Sequence, residues 1–305
     1  MEGPTAATLR PPQSAAQGIA WMLAAALGMT VMAVLGREVS REITTPNLMF
    51  WRGILSFLIM LGLAIVTRRG LGQVLTRRPG LHLVRNSVHF VGQFCWFYGL
   101  ALIPLAQLFA LEFTMPLWIT LFAPLLIGER LTLSRFGAAV IGFAGVLMVV
   151  RPSVETINAG TIAAFVCAFG FALSVISVRA LTRTDTPLQI LFWMTGMQTL
   201  MALAINGGSV VLPSPVAFAW LAAIAVIGLS AQYFMARAFA LTETLIAMPV
   251  DFLRLPLITA IGAWGYGEGV DPWILGGGAL IIAGNIANLL AERRGRRRGR
   301  ATPKD

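Results

Sequence analysis

Leu111–Glu129 reads LEFTMPLWITLFAPLLIGE, and 139 residues later Val250–Glu268 reads VDFLRLPLITAIGAWGYGE. At that one offset Glu112-Phe113 pairs with Asp251-Phe252 and Gly128-Glu129 with Gly267-Glu268, as do Gln93 with Gln232, Gly137 with Gly276 and Gly145 with Gly284. Nearer the start of each half the match continues at an offset of 142, joining Arg37 to Arg179 and Trp51 to Trp193. Chance supplies one or two such coincidences, not several at one spacing, so the chain is read as an internal duplication.

The solvent of this duplicated chain follows from its composition. Of 305 residues, 57% are hydrophobic and 12% charged, and the mean hydropathy is +0.78. A water-soluble domain carries about 25% charged residues, so these values point to lipid. Runs free of Asp, Glu, Lys and Arg extend over Pro11–Gly36, Asn86–Leu111, Thr156–Val178, Thr186–Ala236 and Pro272–Ala291. Each exceeds or meets the roughly 20 residues that a spanning helix needs, and the fourth holds two spans. With Arg, Gly and Pro clusters as boundaries, helices are expected near 17–36, 47–66, 82–101, 104–127, 132–150, 160–180, 188–206, 216–236, 244–263 and 272–291. The expected fold is therefore an all-α integral membrane protein of ten transmembrane helices. The first apolar stretch lacks a short h-region with a small-residue cleavage site, so it is expected to stay uncleaved.

Charge sets the orientation. Seventeen of the 23 Lys and Arg residues fall on the side of the N-terminus, and only Arg37, Arg41 and Arg151 on the other. Such an imbalance places both termini in the cytoplasm of an inner-membrane protein. The net charge of +10 owes much to the tail, where Arg293, Arg294, Arg296, Arg297, Arg298, Arg300 and Lys304 follow directly on an apolar helix. That position reads as an orientation signal and a contact for anionic membrane lipids, not for nucleic acid. Residues 1–16 and 292–305 are thus cytoplasmic tails flanking two repeats, 17–151 and 152–291. Because five helices per copy is an odd number, the second repeat enters the membrane inverted relative to the first. Inverted repeats place a site near the midplane between the copies, open to either side in turn. A duplicated scaffold with no such traffic is the alternative.

The segment Gly128-Glu129-Arg130-Leu131-Thr132, with Arg135-Phe136-Gly137, Gly142-Phe143-Ala144-Gly145-Val146 and Arg151-Pro152 after it, resembles the EamA repeat of ten-helix drug/metabolite transporters. Arg52 and the run Trp96-Phe97-Tyr98-Gly99-Leu100-Ala101 extend the resemblance, and the second copy is weaker. The resemblance implies a carrier of small solutes. Bacterial branches of similar pattern include S-adenosylmethionine and riboflavin carriers, and no residue here is diagnostic of a cargo.

Polar residues within the spans are the candidates for a solute site. On the third helix His82, Arg85, His89 and Gln93 follow at spacings of three, four and four, with Trp96 and Phe97 beyond them. Lipid cannot solvate such a stripe, so it faces protein or water and forms one wall of a path. Alternatively, His82 and Arg85 snorkel to the cytosolic headgroups, leaving only His89 and Gln93 deep. Glu112 and Asp251 stand near mid-span, each ahead of a proline, Pro116 or Pro256. An acidic residue at such depth costs about 3 kcal/mol unless a proton, a cation or an arginine such as Arg52, Arg85 or Arg254 neutralises it. The prolines leave the carbonyls of Glu112 and Phe252 without their helical N–H partners. Asp251 and Arg254, three apart, share a face and can simply pair. Glu112 has no such neighbour and leads the candidates for touching solute or proton. Arg52 is read either as an attractor of an anionic group or as a clamp on Glu112 or neighbouring carbonyls.

The candidate substrate-binding set is thus Glu112, His89, Gln93, Gln232, Trp96, Arg52, Asp251 and Arg254, around a cavity between helices three, four, eight and nine. Glu129 and Glu268, at helix junctions, are expected to cap the helices that follow them. Glycine-rich steps such as Gly276-Gly277-Gly278 are expected to let helices approach closely. Cys95 and Cys167 lie in apolar runs without metal-ligand spacing and read as packing residues. No cofactor is expected. No phosphate-binding Gly-rich loop, HExxH or metal cluster occurs, so neither direct use of ATP nor a membrane enzyme has support. A membrane receptor or scaffold without turnover is the remaining class.

Overall fold

The computed structural model describes residues 15–67, 70–127, 133–151, 157–242 and 244–301. The motif Gly128–Thr132, Glu129 included, lies outside them, as do Arg68, Arg69 and Lys304. Among the described residues there is helix and no strand: α1 (Ala15–Val39), α2 (Thr45–Val66), α3 (Pro79–Leu102), α4 (Leu105–Glu112), α5 (Met115–Ile127), α6 (Leu133–Val150), α7 (Ala159–Leu181), α8 (Pro187–Ile205), α9 (Pro215–Leu241), α10 (Thr244–Asp251), α11 (Arg254–Tyr266) and α12 (Pro272–Ala301), with a short 3-10 turn at Gly70–Val74. Seven stretches are long and apolar enough to cross a bilayer, lying in α1, α2, α4 with α5, α7, α8, α9 and α12. Large apolar side chains such as Leu58, Leu63, Val66, Leu125, Leu200 and Trp264 point outward. A water-soluble monomer does not bear so extensive an apolar exterior, whereas a multi-pass membrane protein requires it.

Local chemistry sets the helix ends. Proline opens α2, α3, α8 and α9, where its missing N–H would have had no partner. The Asn158 side chain accepts from Thr161 N, Ser214 from Ala217 N, and Thr186 forms a reciprocal capping box with Gln189. Gly267 ends α11 in the left-handed region at φ 66°, a conformation cheap only without a Cβ.

The expected fourth and ninth helices, 104–127 and 244–263, are each broken in two. The breaks fall at Phe113–Thr114 and Phe252–Leu253, one residue past Glu112 and Asp251. Pro116 and Pro256 lie three or four residues on, where each removes one i to i−4 bond. The chain tightens instead into i to i−3 bonds, Thr114 N to Leu111 O and Leu255 N to Phe252 O.

Four pairs of helices carry most of the packing: α1 on α9, α3 on α7, α2 on α8 and α6 on α12. In the last pair a Cβ built on Gly145 would sit 2.5 Å from the carbonyl oxygen of Gly277, and one on Gly277 2.6 Å from that of Gly145. The two backbones touch, and no larger residue fits at either place. Phe97, Phe109, Leu108, Leu111, Leu100 and Trp96 fill the core between α3 and α4.

Candidate functional site

The breaks in α4–α5 and α10–α11 bring their two carboxylates to one arginine. Arg254, the first residue of α11, donates to Asp251 Oδ2 at 2.7 Å and reaches Glu112 Oε1 at 3.4 Å. Its Nε also donates to the Asp251 carbonyl at 3.3 Å. The guanidinium lies over the rings of Phe109 and Phe113, at 5.6 and 5.1 Å. Glu112 Oε2 accepts from Trp96 Nε1 at 2.7 Å. The expected Asp251–Arg254 pair is therefore present, and Arg254 also serves Glu112, so Arg52 does not clamp that carboxylate.

The freed-carbonyl expectation needs correcting at Phe252. The Phe252 carbonyl accepts from Leu255 N at 3.1 Å, through the tightened turn. On the α4–α5 side, the Phe113 carbonyl accepts from Asn285 Nδ2 of α12 at 2.8 Å. Three residues on, Asn288 Nδ2 donates to Thr120 Oγ1 at 2.8 Å. Sequence reading missed both asparagines, although two amides three apart in an apolar span carry the same signal as the stripe on α3.

The rungs of that stripe are partnered from α2, from α8, from the turn before α8 and, for Arg85, from α3 itself. At its start His82, fully buried, donates through Nε2 to Asp185 Oδ1 at 3.1 Å, and Thr76 Oγ1 donates to the same oxygen at 2.5 Å. Burial alone would raise the Asp185 pKa, but the hydroxyls of Thr184 and Thr76 and the His82 ring together hold it below the ordinary aspartate value. Arg85 donates to Asn86 Oδ1 at 2.7 Å. Gln198 of α8 donates to His89 Nδ1 at 2.7 Å. Gln93 Oε1 accepts from Arg52 of α2 at 2.6 Å, and Arg52 also lies 5.6 Å from the Phe97 ring centre. Both His82 and Arg85 are held inside protein, which overturns the snorkelling alternative: Asp185 and Asn86 supply partners that the headgroups would otherwise provide. Gln232 stays apart. It is half-buried on α9, a helix that packs against α1 and α2, and among the described residues no hydrogen bond joins it to Gln93 or Glu112.

The two ends of the bundle are tied differently. At one, Arg37 pairs with Glu268, whose other oxygen accepts from Leu105 N at 2.9 Å. Glu268 thus caps α4 and not the helix after it, because Gly267 turns the chain back and Gly262 leaves room for the carboxylate. The following helix, α12, is capped by Asp271, which accepts from Trp273 N and pairs with Arg151. Beside this pair lies an open cleft of about 440 Å³ lined by Gln107, Asn158, Arg151 and Asp271 among others. Trp51 Nε1 donates to Val211 O, in the loop after α8, at 2.8 Å. Trp193 Nε1 donates to Val74 O, in the segment after α2, at 2.9 Å.

Comparison with known proteins places this arrangement. Residues 16–151 of this multi-pass membrane protein match the model of the EamA-like transporter family. Across nearly its whole length the chain is similar to several bacterial proteins, three of which follow. It is 28% identical to a riboflavin transporter of Rhizobium johnstonii, over 94% of this chain and 95% of that one. It is 23% identical to an S-adenosylmethionine uptake transporter of Rickettsia felis, over 91% and 94%. It is 27% identical to a pseudopaline exporter of Pseudomonas aeruginosa, over 88% and 95%. A solved crystal structure aligns with a TM-score of 0.62 at 19% identity, over 92% of this chain and 99% of that one, which establishes a shared fold.

Proposed function

We propose that this chain is a secondary active transporter that moves a small metabolite across the bacterial inner membrane by alternating access. The observation that carries the reading is the meeting of two broken helices, one from each half, at the Glu112–Arg254–Asp251 trio. Broken helices at a repeat interface are where carriers build solute and ion sites, since unwound backbone and buried charge are tolerated only around a cavity or inside protein.

Ten crossings in two inverted five-helix repeats, 17–151 and 152–291, underlie the proposal, with both termini cytoplasmic. The helix pairing supports it. Exchanging the halves turns α1 on α9 into α7 on α3, and leaves α2 on α8 and α6 on α12 unchanged. Trp51 and Trp193, matched in sequence, also make the same bond from opposite ends of the bundle. The relatives carry riboflavin, S-adenosylmethionine or pseudopaline by name, so small polar metabolites are the cargo class, and a proton at Glu112 is the proposed coupling ion.

Uptake of labelled riboflavin and S-adenosylmethionine by purified protein in proteoliposomes tests this. Saturable flux that is accelerated by unlabelled cargo inside the vesicle is expected for one of them. Tight binding of a cargo without flux in either direction would replace a transporter with a receptor.

A further inference from the structure

Two guanidinium groups on α2 and α3 are buried without a counter-charge. Arg52 and Arg85 are 6% and 4% exposed, and among the described residues neither has a carboxylate within 4.0 Å. Each uses one terminal nitrogen, on Gln93 and Asn86 respectively, and each leaves a buried Nε with no hydrogen-bond partner. His89 lies between them along α3, one turn past Arg85 and one turn before Gln93, and feels the charge of both. The oxygen of Gln198, whose amide holds His89, is likewise buried and unpartnered. Unmet hydrogen-bonding groups in a native interior call for a missing partner: the two arginine Nε donors on α2 and α3 call for an acceptor, and the Gln198 oxygen for a donor.

Charge indicates what that partner is. The trio one turn further along α3 holds two carboxylates and one arginine, while this cluster holds two arginines and no carboxylate. An unpaired cation at membrane depth is costly, and a planar guanidinium is matched to carboxylate or phosphate oxygens. We propose that Arg52 and Arg85 form an anion subsite and that the cargo carries a carboxylate or phosphate group that both arginines hold. This deepens the transport reading by naming a substrate class. Gln93, Asn86 and Gln198 then fix the arginines and His89 in place between transport cycles.

The test is the thermal unfolding of the full-length protein in detergent at constant ionic strength. Probes are riboflavin against riboflavin 5′-phosphate, with inorganic phosphate and malonate as minimal anions. A rise in Tm with the anionic probes and not with riboflavin is expected, and Arg52→Gln and Arg85→Gln should each weaken it at least tenfold. If a glutamine variant does not fold, Arg52→Lys and Arg85→Lys serve instead: the charge stays, the planar fork is lost, and binding of malonate should still fall about tenfold. Arms with phosphate alone or malonate alone separate a phosphate cargo from a carboxylate one. No response to any anion, or a response unchanged in both substituted proteins, overturns the subsite. Flux is scored separately, so transport of neutral riboflavin without anion binding removes the subsite and keeps the transporter. Anion binding without flux does the reverse.

Discussion

The indole N–H of Trp96 and the carboxylate of Glu112 meet at 2.7 Å in the core between α3 and α4, so the polar stripe of one helix ends on the acid of the next. Trp96→Phe removes the donor together with the second ring of a fully buried indole. A hydrogen bond to a charged group contributes about 1.5–3 kcal/mol, and a loss of at least that size is expected in thermal unfolding. Glu112→Gln should destabilise less, because an amide oxygen still accepts from the indole, yet it should reduce flux at least tenfold and flatten its pH dependence. Wild-type flux in Glu112→Gln removes this carboxylate from the transport site.

The pair Arg37–Glu268 fastens the α1 end to the cap of α4, and both side chains are mostly buried. A double-mutant cycle with Arg37→Gln and Glu268→Gln should give a coupling of about 1–3 kcal/mol. Glu268→Gln should also speed labelling of a Gln107→Cys reporter in the nearby cleft by an impermeant maleimide. Labelling at the wild-type rate would mean that this pair does not hold that end shut.

Asn285 is the partner of the carbonyl exposed by the break in α4–α5. Asn285→Leu is isosteric enough to fill the space and leaves the Phe113 carbonyl unmet, at a cost of about 1–3 kcal/mol. Asn288→Leu, which removes a bond to a hydroxyl that also donates to the Pro116 carbonyl, should cost less. The order of the two melting temperatures checks this.

Asp185 is depressed below the ordinary aspartate value by its hydroxyl and imidazole donors. A depressed carboxylate contributes stability that is fully present above its unfolded pKa of about 3.9 and lost only as pH falls through the lower folded value. Between pH 5 and 8 this group does not titrate. In a His82→Gln background, where Thr184 and Thr76 still donate to the carboxylate, the destabilisation by Asp185→Asn should be equal at pH 5 and pH 8, as read by chemical or thermal unfolding. A difference between the two would assign another titrating group to the cluster.

Much of this architecture was legible from residues alone, and the reasons are physical. Charge-free runs exposed the spans, while the carboxylate-then-proline order in both halves was read as freed carbonyls within continuous helices and not as the breaks that lie there. The stripe on α3 was visible because its spacing is helical. Its partners were not: Gln198, Asp185 and Arg52 are brought to it by packing between segments 41 to 109 residues distant, which no local pattern encodes. Glu268 misled for the opposite reason. Its place at a junction announced a cap, and only the left-handed turn at Gly267 decided which helix received it. Gln93 and Gln232 matched in sequence yet lie on helices with different neighbours, α3 packing on α7 and α8 and α9 on α1 and α2, so a shared sequence position did not bring them together.

Gly145→Leu or Gly277→Leu should be among the most damaging single changes, since neither backbone can retreat from an added side chain. A loss of about 3 kcal/mol or more, seen as a fall in Tm and in extractable folded protein, is expected.

That backbone contact also sets the mechanics of the molecule. Where α6 and α12 meet backbone to backbone, sliding would drive atoms into one another, so that seam resists translation and, in the transport cycle proposed above, is the place about which the two halves turn.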